Sequence, residues 1–214
     1  MTPITHITTA LFDFDGVVAD TEGQYARYFE RLAAIYPPSV PDLAASVRGV
    51  TLPEILERFF GAYPADVRRE IADGVRQFEQ QMDYRFIPGA GEFIREVGAR
   101  GYKRGLVTSS REEKMRVALE RMGLRDAFDA VVTAERVSRG KPDPECYLRA
   151  ADDLGARPDE CVVFEDSIAG IAAGKRAGMR VVGMTTTLPP EEVRKHAPLL
   201  LRDFTGIDEA LRLL

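Results

Sequence analysis

Ala10-Leu11-Phe12-Asp13-Phe14-Asp15-Gly16-Val17-Val18 is the stretch whose reading decides the fold. Apolar residues fill most of positions 8–14, the pattern of a short strand buried on both faces of a parallel sheet. The strand predicted there ends in two carboxylates and a glycine. Asp13 and Asp15 stand two apart, so a regular strand would put both side chains on one face. Gly16 allows backbone angles that a larger residue resists. Carboxylates at the C-terminal edge of such a strand lie where open α/β sheets bind ligands. Two buried negative charges side by side need a cation or a shared proton. A solvated Asp-Gly turn also fits this stretch taken alone.

The 214-residue chain is 45% hydrophobic and 29% charged, with a formal net charge of −5. That length holds one large domain, or a core domain carrying a smaller insert. With no excess of Lys and Arg to neutralise phosphates, no nucleic-acid partner is expected. Cys146 and Cys161 match neither a zinc spacing nor a disulfide framework, and read as small, reduced core residues. No run approaches the length of a membrane span, and positions 1–9 lack a basic segment leading into an apolar one. The expectation is a cytoplasmic monomer with no membrane association.

Outward from the first strand the rhythm changes. Positions 20–84 read as helices: Tyr25, Phe29, Leu32 and Ala33 recur at helical spacing, as do Ile55, Leu56, Phe59 and Phe60. A further amphipathic helix over 65–82 carries Val67, Ile71, Val75 and Phe78 on one side. Pro37-Pro38, Pro41 and the segment 61–64 break the pattern. After Pro88-Gly89, helices predicted at 90–100, 112–122, 144–154 and 168–177 alternate with strands at 105–108, 130–133, 161–164 and 180–185. Positions 189–214 complete the sheet edge and a last helix through Leu199, Leu200, Ile207 and Leu211. Such alternation implies βαβ units and a doubly wound parallel α/β sheet. The predicted core domain is 1–17 and 87–214, split by an all-helical insert at 18–86.

Three more strand ends converge on the first. Thr108 ends its strand with a hydroxyl, followed by the amides of Ser109 and Ser110, a neutral cradle for phosphate oxygens. Ser109 could equally cap the next helix. Gly140-Lys141-Pro142-Asp143-Pro144 is a stiff turn in which Lys141 can offer its ammonium to a phosphate, and Asp143 is placed to cap the following helix. A solvated lysine is the plainer alternative. Val162-Val163-Phe164-Glu165-Asp166-Ser167 is a second apolar strand ending in acids, with Ser167 capping a helix rich in Gly and Ala. Four acids on two strand ends supply oxygen ligands for a hard cation such as Mg²⁺.

These motifs, in this order, resemble the haloacid dehalogenase superfamily: Asp13-Phe14-Asp15-Gly16-Val17, then Thr108, then Lys141 in Gly-Lys-Pro-Asp-Pro, then Glu165-Asp166-Ser167 with Gly170. The resemblance runs along the whole chain, helical cap included, and within the superfamily it is to the branch of β-phosphoglucomutases and sugar-phosphate phosphatases. It implies phosphoryl transfer through an aspartyl phosphate. Asp13 would be the nucleophile and Asp15 the general acid and base, while Thr108, Lys141 and Ser109 would hold phosphate oxygens. Mg²⁺ would be bound by the Asp13 carboxylate, the Asp15 carbonyl and Asp166, with Glu165 either a direct ligand or orienting a bound water.

Ser46-Val47-Arg48-Gly49-Val50-Thr51 resembles the cap loop that meets the substrate, which implies roles for Arg48 and Gly49. Leu52 stands where the mutases carry an arginine for a distal phosphate, and Tyr25 where they carry a histidine. Segment 18–86 contains no lysine, against a Schiff-base phosphonate hydrolase. The expected activity is a Mg²⁺-dependent phosphatase acting on a small phosphorylated metabolite, most simply a sugar phosphate. A hexose-phosphate mutase of the β-phosphoglucomutase type is the alternative.

Overall fold

The computed structural model describes residues 6–214; positions 1–5, the start of the expected 1–17 core segment, lie outside them. Six strands, β1 (Thr9–Phe12), β2 (Lys103–Val107), β3 (Ala130–Val132), β4 (Cys161–Glu165), β5 (Arg180–Met184) and β6 (Leu199–Leu201), form one sheet in the order β3-β2-β1-β4-β5-β6. Every pairing is parallel. The chain runs outward from β1 to β3, then crosses back to start again at β4. The strand order therefore reverses between β1 and β4, where a crevice opens beyond the strand ends.

Alternation along β1 sends Ala10 and Phe12 to one face and Leu11 to the other, and both faces are buried. On the first face Phe12 stacks on Phe164 with ring centroids 5.2 Å apart, and Phe93 on Phe204 at 4.9 Å. On the second, Leu11, Val107 and Val163 pack against Tyr147 and Ile171. The helices covering the sheet are α5 (Ala90–Ala99), α6 (Glu112–Arg121), α7 (Glu145–Asp153), α8 (Ile168–Arg176), α9 (Pro190–Val193) and α10 (Ile207–Leu211).

Between β1 and β2 come α1 (Glu22–Ile35), α2 (Leu43–Ser46), α3 (Leu52–Phe60) and α4 (Ala65–Gln81). Their apolar stripes meet in a cluster of their own, around Phe29, Ile55, Phe59, Phe60 and Ile71. The chain enters and leaves this insert side by side. Ala19 bridges Phe86 in antiparallel fashion, Ile87 N–H donates to the Val18 carbonyl at 3.0 Å, and Asp20 N–H to the Arg85 carbonyl at 2.8 Å.

One expectation is corrected at the strand that organises the sheet. β1 stops at Phe12, short of the apolar run through position 14. Asp13 N–H still bonds the Phe164 carbonyl at 3.1 Å, but beyond it the chain curls, with Val18 and Ala19 N–H both donating to the Phe14 carbonyl at 2.9 Å. Asp15 thus sits in a loop, and period-two alternation does not govern its direction.

The aromatic cluster generates a stability prediction. Phe93→Ala empties a fully buried site between Phe12, Phe164 and Phe204. Urea unfolding should show a loss of about 3–5 kcal/mol; a loss below about 1 kcal/mol would contradict this packing.

Candidate active site

The site is built where the ends of β1, β2 and β4 meet, and its centre is a buried lysine. Lys141 Nζ donates to Asp13 Oδ1 at 2.8 Å and to Glu165 Oε1 at 2.5 Å, and sits 3.4 Å from the Val107 carbonyl. Tyr147 hydroxyl donates to the same Glu165 oxygen at 3.2 Å. The other Glu165 oxygen accepts from Ser167 N–H at 2.8 Å and Ser167 Oγ at 2.9 Å. Ser167 in turn accepts the Gly170 N–H at 3.0 Å, capping α8 as expected. Only glycine fits at 170, because a Cβ there would overlap Glu165 Oε1. Burial opposes the charge on Lys141, but Asp13 and Glu165 outweigh it and hold its pKa well above the ordinary lysine value.

Carboxylate oxygens of Asp13, Glu165 and Asp166 come within 4.8 Å of one another, all three residues buried. Burial pushes Asp13 up to about 7, with Lys141 pulling it down and Glu165 and Asp15 pushing it up. Burial, and then the Glu165 charge, raise Asp166 well above the usual carboxylate range, while the Thr187 hydroxyl bonded to it lowers it. Gly16, at φ 78°, turns the chain beside Asp166, where a Cβ would overlap the Oδ2 atom. Crowded, desolvated oxygen donors of this kind fit a hard divalent cation. Asp13 and Asp166 are the available donors, since both Glu165 oxygens are taken by Lys141, Tyr147 and Ser167. Of the two roles left open for Glu165, this geometry favours the indirect one.

Asp15 is held by a second lysine that sequence reasoning did not single out. Lys114, fully buried on α6, donates to Asp15 Oδ1 at 2.7 Å, to Oδ2 at 2.6 Å and to Ser110 Oγ at 2.8 Å. Ser110 Oγ donates to Asp15 Oδ2 at 2.9 Å, and Thr21 Oγ1 to Oδ1 at 2.6 Å. Lys114 also lies 5.4 Å from the Phe14 ring centroid and 4.8 Å from that of Tyr25. Tyr25 hydroxyl donates to Glu79 Oε1 at 3.0 Å, and Arg111 clasps Glu79 Oε2 at 2.8 Å, tying α1, α4 and the start of α6 together. The available signal was position: Lys114 and Glu79 fall on the buried stripes of their helices, where charge is unusual without a partner.

An open cavity of about 750 Å³, solvent at its mouth included, lies between the sheet edge and the insert. Asp13, Asp15, Thr108, Ser109 and Asp166 line it from the sheet side, and Arg48 and Gly49 from the insert, so the structure brings these sequence-predicted residues together. Lys141 and Glu165 meet the cavity through Asp13. Two expectations at the Thr108 turn are modified. Ser110 N–H donates to Thr108 Oγ1 at 3.0 Å, which engages one expected cradle amide within the loop. Ser109 does not cap α6, whose N-cap is Arg111; its hydroxyl donates across the cavity to the Gly49 carbonyl at 2.8 Å. Asp143 does receive a first-turn amide, that of Glu145 at 3.0 Å. Arg48 faces Glu22, Nε to Oε2 at 3.5 Å. Burial raises Glu22 to about 7, with Asp15 adding to the rise and Arg48 opposing it.

These shifts have a signed consequence. Asp13 and Glu22 bind protons more tightly folded than unfolded, so their contribution is full below about pH 4 and is lost as pH rises through about 7, and Asp166 is shifted in the same direction. Chelator-treated protein should lose several degrees of Tm between about pH 5 and pH 8, at about 2–4 °C per kcal/mol. Millimolar Mg²⁺ should raise Tm more at the higher pH; equal stabilisation at both would contradict the arrangement.

Comparison with known proteins identifies the family. Residues 10–184 match the family model for haloacid dehalogenase-like hydrolases. The chain is 34% identical over 205 residues to validoxylamine A 7'-phosphate phosphatase of Streptomyces hygroscopicus subsp. limoneus, covering 92% of this chain and 94% of that one. It is 33% identical over 190 residues to the phosphorylated carbohydrates phosphatase of Thermotoga maritima, covering 83% and 85%. Among solved structures, the β-phosphoglucomutase of Clostridium difficile is similar with a TM-score of 0.81 and 25% identity, over 97% of this chain and 96% of that one. The chain belongs to the haloacid dehalogenase-like hydrolase family.

Proposed function

We propose that this protein is a Mg²⁺-dependent phosphatase that hydrolyses the phosphate monoester of a small carbohydrate-like metabolite through an aspartyl phosphate on Asp13. The single observation that carries the reading is Asp13 at the mouth of a buried lysine pocket, 2.8 Å from Lys141 and open to the cavity. In the first step an Asp13 oxygen forms a bond to phosphorus as the ester P–O bond breaks, and the electron pair leaves on the alkoxide. Asp15 supplies the alkoxide's proton. In the second step water attacks phosphorus, Asp15 takes its proton, and the bond to Asp13 breaks to release inorganic phosphate. Lys141 and the Thr108 hydroxyl hold non-bridging oxygens as charge develops on them.

Asp13, Asp166 and the Asp15 carbonyl would hold the Mg²⁺, which supplies charge neutralisation for the acids and the incoming phosphate. The helical segment 18–86 serves as a cap that excludes bulk water from the site. The Ser109–Gly49 and Arg111–Glu79 contacts support that role, because each joins the sheet side to the insert.

Hydrolysis is favoured over mutation by the charge on the cap side of the cavity. A mutase must seat a second phosphate there. Arg48 and Arg111, which line the cavity, each face a carboxylate, Glu22 at 3.5 Å and Glu79 at 2.8 Å. Phe29, Val47, Leu52, Ile55 and Val75 supply an apolar wall beside them. That surface suits a leaving group without a second phosphate.

Incubation with β-glucose 1-phosphate and a trace of its 1,6-bisphosphate should yield free phosphate. Accumulation of glucose 6-phosphate would make the protein a mutase. Asp13→Asn should reduce phosphate release on any substrate by at least about 10³-fold with the circular dichroism spectrum unchanged; substantial residual turnover would remove Asp13 from the nucleophile's role.

A further inference from the structure

Lys114 has no place in the mechanism above, yet its surroundings are specific. The side chain is fully buried, and its ammonium can donate three hydrogen bonds, all of which are used: two on the oxygens of Asp15 and one on Ser110 Oγ. Ser110 Oγ in turn donates a hydrogen bond to Asp15 Oδ2. With Thr21 on Oδ1, Asp15 accepts from three side chains, and every one of them is a donor. Such surroundings stabilise the carboxylate, the form Asp15 holds once its proton has gone to the leaving group. The ammonium also lies over the rings of Phe14 and Tyr25, with its side chain shut off from solvent.

We propose that Lys114 is a positioning residue for Asp15. It holds the carboxylate turned and ready to take the proton of the attacking water, and so governs the second half of the reaction, hydrolysis of the phosphoryl enzyme. This inference rests on the aspartyl-phosphate reading. The proton moves from water to an Asp15 oxygen while the water oxygen bonds to phosphorus and the bond to Asp13 breaks. Lys114 takes no proton and stays paired throughout. An aryl ester such as p-nitrophenyl phosphate isolates this role, because its leaving group departs without protonation.

The test is stopped-flow release of p-nitrophenolate with Mg²⁺ present, on the full chain, for the native protein, D15N and K114M. Methionine matches the length of the lysine stem and removes its three donors. For K114M the expected result is a burst of one p-nitrophenolate per chain, followed by steady turnover at least about tenfold slower than native, with one phosphoryl group per chain in the acid-quenched intact mass. D15N should behave in the same way.

A purely structural lysine would lower the Tm of K114M and leave its turnover native-like with no burst; that result, alongside a burst from D15N, would overturn the proposal and leave the aspartyl-phosphate reading standing. Loss of turnover in D15N with no phosphoryl enzyme in any variant would overturn that reading, and this inference with it. Where K114M does not fold, K114R keeps a buried cation opposite Asp15, but its planar fork cannot repeat all three contacts. The same burst is expected from it, and native turnover without a burst would overturn the proposal.

Discussion

One ammonium group, that of Lys141, sits between two buried carboxylates, and much of the site follows from that contact. At 2.8 Å from Asp13 and 2.5 Å from Glu165, it joins the end of β1 to the end of β4 through a turn that belongs to neither. Removing it would leave buried carboxylates without their counter-charge, and breaking such a pair costs about 3–5 kcal/mol. The surrounding hydrogen bonds are consistent with this. Tyr147 and Ser167 satisfy the oxygens of Glu165, Gly170 lets the first turn of α8 approach that side chain, and the Val107 carbonyl lies near the ammonium.

The sheet order explains why such distant residues meet. With β1 flanked by β2 and β4, the switch in winding direction falls between β1 and β4. Asp13 and Asp166 follow those two strands, and Thr108 follows β2, so three strand ends deliver their side chains to one crevice. The helical insert leaves the chain just beyond Asp15 and returns beside its own exit, where Ala19 pairs with Phe86. It covers the crevice while the strands that build it stay continuous with the core.

The alternation of strands and helices was legible because each buried strand is a short apolar run bounded by turn residues, and Leu106-Val107, Val162-Val163-Phe164 and Val181-Val182 stand out as such. Asp13 and Asp166 were legible because they follow apolar strand runs, and Lys141 because it sits in a stiff Gly-Lys-Pro-Asp-Pro turn, all in motifs that resemble a known family. What was not legible follows from pairing across distance. Periodicity marks Lys114 and Glu79 as facing inward, but it says nothing of what they face. Lys114 meets Asp15 across 99 positions, and Glu79 meets Arg111 across 32. Ser109 showed the same limit: helix capping and phosphate binding were both consistent with its position, whereas its hydroxyl reaches Gly49, 60 positions away. Asp15 lines the same cavity as Asp13, but from a loop and not by strand alternation, because the strand ends at Phe12, two residues before the apolar pattern does.

The account's central claim is that Asp13, held by Lys141, receives the phosphoryl group. Acid-quenching the native enzyme during turnover of p-nitrophenyl phosphate, then mapping peptides by mass spectrometry, tests this most directly. The account predicts a phosphorylated peptide with the modification on Asp13, and its loss in Lys141→Met. A phosphoryl group on any other residue, or undiminished labelling of Asp13 without Lys141, would contradict it.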